Sequence, residues 1–140
     1  MTYSDDLDCK VYIAADAPRA ELAAALARAL AGAVDGPFRD TVRTPDALLD
    51  VVANDEFDER QQRDFPDGFL HFRYAIEVYP RADAPHEAVR QLVARLLEYL
   101  WGRGIPAVAA CDYEDELPFG GGYKSLAVPW VEQSVTGTRA

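Results

Sequence analysis

Two carboxylate clusters are the residues of this chain whose type and spacing could support chemistry. Their members are Asp55, Glu56, Asp58 and Glu59 in the first carboxylate cluster and Asp112, Glu114, Asp115 and Glu116 in the second. Oxygen ligands at this density could hold Mg²⁺ or Ca²⁺, although the sequence lacks the calcium-loop pattern with its fixed glycine. The clusters could also present negative charge to a basic partner protein, or only keep the ends of edge strands from aggregating.

A glycine-rich segment from Pro118 to Ser125 is the second candidate, because it ends in Lys124-Ser125. A phosphate-binding loop needs a further glycine at a fixed distance before its Gly-Lys pair, and the spacing here is wrong. We therefore expect a flexible hinge that leads into the C-terminal tail.

Other reactive residues are sparse. His71 and His86 have no cysteine or carboxylate at metal-ligand spacing. Cys9 and Cys111 are predicted to be free thiols, with Cys9 buried and Cys111 on the opposite side of a sheet if Val108 is buried. The sequence assigns no catalytic residue, no metal and no cofactor, and it favours a non-enzymatic protein.

An internal repeat positions these residues. Nine of the twenty residues from 11 to 30 recur 67 positions later, and Asp16-Ala17-Pro18 returns as Asp83-Ala84-Pro85. A second echo, at a shift of 57, relates Val51 to Val108 and the first carboxylate cluster to the second. The two copies span residues 9–59 and 76–116, and each has the pattern of a strand, a helix and a strand.

Hydrophobic periodicity assigns the elements. The predicted strands span residues 9–13, 47–53, 69–79 and 107–111. A helix follows Asp16 in the first copy and Asp83 in the second. This order predicts a single α+β domain over residues 1–140, with a ferredoxin-like split βαβ-βαβ arrangement: an antiparallel sheet with two helices on one face. In this arrangement we expect the two carboxylate clusters to follow the two edge strands, at opposite ends of the sheet.

Three connections lie outside this pattern. Residues 33–46 are predicted to make an ordered excursion over the surface, and residues 56–67 a polar connection with a helical turn near Asp58 to Arg63. The C-terminal extension, residues 120–140, could add an edge strand at 126–131 and is expected to fray after Gln133.

The open face of the predicted sheet, away from the helices, carries an alternative site. Its residues are Lys10, Tyr12, His71, Arg73, Glu77 and Tyr79. A small anion could pair with Arg73, and His71 could act as an acid or base in a ligand-sensing or catalytic dimer. Aromatic residues beside arginine are also typical of contact surfaces, so the same face could bind a second copy of the chain.

The charge balance limits the partners. There are 24 acidic and 14 basic residues, and the net charge is −10. A protein this acidic repels phosphate backbones and anionic lipids, so we expect a basic protein partner rather than nucleic acid or membrane. The acidic start, residues 1–6, lacks the basic and apolar segments of a signal peptide, which favours a cytoplasmic location.

In its size, its acidity and its lack of a catalytic constellation, the chain resembles the small acidic bacterial immunity proteins of polymorphic and contact-dependent toxin systems. The resemblance is one of class, without a signature motif. It implies that the second carboxylate cluster covers the basic active site of a toxin. The aromatic anchors of that contact would be Tyr113, Phe119 and Tyr123.

Overall fold

The computed structural model describes residues 8–35 and 40–131. Within these ranges the protein has an α+β fold, with two α-helices and one six-stranded antiparallel sheet. The strands are β1 (Cys9–Ile13), β2 (Ala33–Val34), β3 (Thr41–Arg43), β4 (Ala47–Ala53), β5 (Tyr74–Pro80) and β6 (Ala107–Ala110). The helices are α1 (Arg19–Ala29) and α2 (His86–Gly102). The strand order across the sheet is β2-β3-β4-β5-β1-β6, so the two strands that begin the predicted repeats, β1 and β5, are adjacent.

Both helices begin just after the prolines that the repeat places there. Pro18 precedes α1 and Pro85 precedes α2, and the Pro18 carbonyl accepts hydrogen bonds from the first turn of its helix. Proline suits this position because the first turn has no use for its missing N–H. The apolar stripes of both helices pack against one face of the sheet. The fully buried side chains of this core include Val11, Ile13, Leu26, Leu49, Val51, Ile76, Val93 and Leu96.

The connection after α1 differs from its prediction. Instead of an excursion over the surface, it contributes β2 and β3, which extend the sheet beyond β4. Val42 is fully buried, and the Thr44 hydroxyl closes the turn before β4 by bonding with the backbone of Ala47. The prediction that the first carboxylate cluster follows an edge strand is therefore wrong, because β4 lies between β3 and β5.

The predicted strand at residues 69–79 is too long. Residues Asp67–His71 form a 3₁₀ helix, and β5 begins only at Tyr74. The side-chain amide of Asn54 donates to the carbonyls of Leu70 and Phe72, at 2.9 and 2.7 Å, and so holds this segment against the end of β4. Alternating apolar residues imitate a strand here, but the carbonyls of Leu70 and Phe72 bond with a side chain, and the Phe72 N–H donates to the Phe69 carbonyl within the 3₁₀ segment. A second 3₁₀ helix, Gln61–Arg63, occupies the predicted helical turn.

The C-terminal extension packs against the sheet. Residues Pro118–Gly122 form tight turns beside β6 in which Phe119, Gly120 and Gly121 have positive φ angles, and Gly121 and Gly122 are buried, so the prediction of a flexible hinge is wrong. No strand forms in the described part of the predicted edge strand at 126–131; instead Trp130 packs on Phe72, with ring centroids 5.2 Å apart. The predicted fraying after Gln133 lies outside the described residues. Neither described helix is both long and apolar enough to cross a membrane.

Candidate functional site

The second carboxylate cluster begins where β6 ends. Two of its carboxylates serve the fold: Glu114 accepts a hydrogen bond from the Cys111 N–H at 3.0 Å, and Glu116 forms an ion pair with Arg90 of α2. Asp112 and Asp115 are exposed. Among residues 8–35 and 40–131, no hydrogen bond or ion pair engages either of their side chains. These two aspartates are therefore the members of the cluster that are free to meet a partner.

Tyr113 lies between these carboxylates but faces inward. Its side chain is 7% exposed, and burial, followed by the neighbouring thiols Cys9 and Cys111, raises the pKa of its hydroxyl. The prediction that Tyr113 is an exposed aromatic anchor is therefore wrong. The cause is the 3₁₀ helix Glu114–Glu116, which turns the chain so that Tyr113 and Leu117 both pack into the core.

Phe119 and Tyr123 are the exposed aromatic residues of the adjoining segment. Phe119 is 59% exposed and has a backbone φ of 53°, in the left-handed region, and its ring leans edge-on against Trp101 at 5.8 Å. The Tyr123 hydroxyl donates to Asp67 at 2.6 Å, which raises the pKa of Tyr123. We define the C-terminal surface as Asp112, Asp115, Phe119 and Tyr123.

The first carboxylate cluster lies at the other end of the strands. The end of β4 is level with Tyr74, whereas β6 ends opposite Lys10, so the two clusters occupy opposite ends of the sheet, as predicted. Asp58 accepts hydrogen bonds from two backbone N–H groups of the following turn, at 2.9 Å each, and these bonds hold its pKa below the ordinary value. Nowhere in the described ranges do three or more histidine, cysteine or acidic side chains come together in an arrangement that could hold a metal ion.

Part of the predicted open-face site is assembled. Lys10 and Glu77 are cross-strand neighbours, and the Tyr79 hydroxyl donates to the Glu77 carboxylate. That hydrogen bond, together with burial, raises the pKa of Tyr79 to about 12. The Lys10 ammonium lies 5.1 Å from the centre of the Tyr12 ring. We refer to Lys10, Glu77 and Tyr79 as the polar band. Self-association through this band stays a prediction.

His71 and Arg73 do not join that band. Arg73 precedes β5 and is separated from Tyr79 by most of the strand, a distance of about 20 Å. Its guanidinium lies over the Phe57 ring at 4.4 Å and 3.7 Å from Asp16, beside a cavity of about 380 Å³. His71 bonds through Nδ1 with the backbone oxygen of Glu56 at 2.9 Å. The expectation that both share one face with Tyr79 is wrong because the strand does not extend back to them.

Tyr12 lies on the same face as Lys10 but is partly covered. The Phe69 ring meets it edge-on at 5.3 Å, and Phe69 in turn contacts Tyr123 at 5.7 Å. Ala75 and Val108, the cross-strand neighbours of Tyr12, are fully buried although they point away from the helices. The part of the predicted open face around Tyr12 is therefore covered by Phe69.

The two cysteines form a pair that the sequence prediction missed. Both are free thiols, and Cys9 is buried as expected. The Cys111 side chain interacts directly with Cys9 and, with burial, raises the pKa of Cys9, so the expectation that the two thiols face opposite sides is wrong. That expectation assumed that a buried Val108 would face the helices. Val108 is buried, but it lies opposite Tyr12 on the other face of the sheet.

Comparison of the chain with models of protein families, with curated proteins and with solved structures finds no match. The chain's own residues therefore carry the functional interpretation.

Proposed function

We propose that this chain is a non-enzymatic protein-binding module that presents its C-terminal surface to a basic partner. The observation that carries this proposal is the conformation of Phe119, which combines a left-handed backbone with an exposed aromatic ring. The first feature opposes folding, and the second contributes little to it. A non-glycine residue at positive φ costs roughly 1–2 kcal/mol, and an exposed phenylalanine ring gains little from burial within its own chain.

A partner that covers the Phe119 ring would supply the burial that the fold itself does not. Phenylalanine and tyrosine rings that are held in place before binding lose little conformational freedom on contact, which makes them effective anchors. Phe119 is braced by Trp101, and Tyr123 is fixed by its hydrogen bond to Asp67. The C-terminal surface therefore offers two oriented aromatic groups and two exposed aspartates from one segment of the chain.

The aspartates specify the charge of the partner. Asp112 and Asp115 add to a chain whose net charge is already −10. Exposed charges of this kind mainly accelerate the encounter with an oppositely charged surface, while the buried aromatic contacts slow dissociation. A protein with a basic groove is the partner that this combination suits best.

Within this proposal, the chain is a cytoplasmic immunity protein of the small acidic bacterial class, and its partner is a toxin with a basic active site. The acidity and the class-level resemblance described above support this assignment. We also infer that β4, β5, β1 and β6 with the two helices represent a ferredoxin-like split βαβ arrangement. The strand order β4-β5-β1-β6 and its antiparallel pairing support that inference.

Affinity capture from a lysate of the native host tests the proposed function. The native chain would be compared with the double variant Asp112→Asn, Asp115→Asn. The matched control, Asp55→Asn with Glu59→Gln, removes the same charge from exposed residues of the first carboxylate cluster.

We expect the native chain and the control to retain one basic protein. The double variant should retain it at least about tenfold less at low salt, because removing two exposed charges slows the encounter most where salt does not screen them. Phe119→Ala should raise its dissociation rate. Capture of no basic protein, or equal loss with both double variants, would contradict the proposal.

A further inference from the structure

Cys9 and Cys111 lie opposite each other at the end of the β1–β6 ladder. The last paired position is Lys10 with Ala110, and the next step of the same antiparallel register brings the two cysteines together. The N–H of Ala14 donates to the Pro106 carbonyl at 3.0 Å at the other end of this ladder, which makes that pair a hydrogen-bonded one. Because hydrogen-bonded and non-hydrogen-bonded pairs alternate, Cys9 and Cys111 occupy a non-hydrogen-bonded position.

That position suits a disulfide. The Cα atoms of a non-hydrogen-bonded pair lie about 4.5 Å apart, with the side chains close to each other on the same face. Disulfides span Cα distances of roughly 4.4–6.8 Å, so a bond could form here without moving the strands far. The direct interaction between the two thiols agrees with this placement.

The two thiols differ in their surroundings. Cys9 is 5% exposed, whereas Cys111 is only partly buried and lies beyond the end of β6. The neighbouring Cys9 side chain and the backbone at Tyr113 lower the pKa of Cys111. Cys111 is therefore the thiol that solvent reaches and that ionises more readily, and Cys9 is the one held behind it.

We propose that Cys9 and Cys111 are an oxidation site that closes to a reversible intramolecular disulfide in the presence of a disulfide oxidant such as glutathione disulfide. The Cys111 thiolate attacks one sulfur of the oxidant and releases one glutathione thiolate, which takes up the proton that Cys111 lost. Cys9 then attacks the Cys111 sulfur in the mixed disulfide, and its proton passes to the second departing glutathione. Two thiols lose two electrons, and one glutathione disulfide gains them to become two glutathione molecules.

The bond would tie β1 to the root of the second carboxylate cluster. Cys111 immediately precedes Asp112, and its N–H is already held by Glu114. Oxidation would thereby link the position of this acidic segment to the redox state of its surroundings. The oxidation site itself does not depend on the proposed function.

Thiol trapping on the full chain tests the inference. The purified protein would be equilibrated with glutathione buffers of increasing oxidising strength, quenched in acid and alkylated under denaturing conditions so that buried Cys9 can react, and its mass would be measured by mass spectrometry. We expect a monomeric species that is about 2 Da lighter, carries no alkyl group, contains a peptide linking Cys9 to Cys111 and reverts with dithiothreitol. Two alkylated thiols in every buffer, or products joined only between chains, would overturn it.

Single variants test the order of attack. Cys9→Ser should accumulate a glutathione adduct on Cys111, since no second thiol can displace it. Cys111→Ser should react at least about tenfold more slowly, because its remaining thiol, Cys9, is buried, and burial alone raises the pKa of Cys9. Equal rates for the two variants would overturn the assignment of Cys111 as the attacking thiol, and the measurement on the native chain does not depend on either variant folding.

Discussion

Lys10 and Glu77 lie directly opposite each other on the adjacent strands β1 and β5, and they are separated by the same 67 positions that relate the two copies of the repeat. Each is therefore the counterpart of the other. The neighbouring pairs obey the same relation, because Val11 lies opposite Ile76 while Val78, the repeat equivalent of Val11, lies opposite Cys9. The pseudo-twofold axis of the sheet passes between Lys10 and Glu77.

The two copies protect their outer strands differently. On one side β3 and β2 extend the sheet beyond β4, and on the other the turns at 118–122 lie beside β6. Gly121 and Gly122 approach the carbonyls of Ala109 and Ala107. Covering an edge in this way prevents it from pairing with another chain.

Gly122→Ala should destabilise the fold by about 2–4 kcal/mol. A Cβ at this position would lie 2.8 Å from the Ala107 carbonyl oxygen and 2.9 Å from the Trp101 ring, at a φ of +95°. Gly120→Ala is the matched control, because its φ is +61° and nothing lies within 4 Å of the added Cβ. The control should lose only about 1 kcal/mol. Urea unfolding compares the two, and equal losses would mean that the close packing on β6 contributes little.

Glu77→Gln should lower the pKa of Tyr79 from about 12 towards its ordinary value of 10.0. The hydrogen bond to the Glu77 carboxylate is the largest cause of the elevated pKa, and an amide stabilises the protonated phenol less strongly than a carboxylate does. A tyrosine Cζ titration by NMR measures the change. Asp67→Asn serves as the control, because it should lower the pKa of Tyr123 and leave that of Tyr79 unchanged. An unaltered Tyr79 titration in Glu77→Gln would refute this explanation.

Asp50→Asn should stabilise the protein at neutral pH. Burial raises the pKa of Asp50 above its ordinary value of 3.8. The ionised carboxylate therefore opposes folding at pH values above the pKa of Asp50 in the folded protein. Stability of the native chain should rise as the pH falls through the folded pKa, because the folded state then binds the proton more tightly. The advantage of the variant should disappear over the same range.

Urea unfolding between neutral pH and pH values below 3.8 measures this difference. Glu98→Gln, an exposed residue on α2, controls for the general effect of removing one negative charge. The Thr41 hydroxyl donates to the Asp50 carboxylate at 3.1 Å, and the side-chain amide oxygen of the Asp50→Asn variant can accept the same hydrogen bond. A constant difference at all pH values would show that ionisation of Asp50 is not its cause.

Much of the sheet follows from the sequence because its patterns are regular. The strand at 47–53 matches β4 at both ends, and the strands that begin the two copies of the repeat, β1 and β5, are neighbours in the sheet. The strand predicted over 69–79 failed in its first half, where the Asn54 side chain supplies hydrogen bonds that no local pattern reveals. The short strands β2 and β3 were missed because two or three residues are too few for a periodic signal.

The candidate site was harder to predict, and the cysteines show why. The second echo aligns Val51 with Val108, but the pairing makes Cys111 the counterpart of Val51, because Val51 lies opposite Ile76 as Cys111 lies opposite Cys9. The difference is three residues, and an odd shift along a strand moves each side chain to the other face. A correct alignment of the repeat would have found the cysteine pair. The inward turn of Tyr113 depends on tertiary packing that the repeat does not encode.

The most direct test of the C-terminal surface places a photoreactive benzophenone side chain at position 119 of the full chain and irradiates it in a lysate of the native host. The control carries the same group at position 95, which is exposed on α2. We predict that position 119 crosslinks to one basic protein, that position 95 does not, and that Asp112→Asn with Asp115→Asn reduces the yield. No crosslinked product from position 119, or the same products from both positions, would contradict a role for this surface in binding.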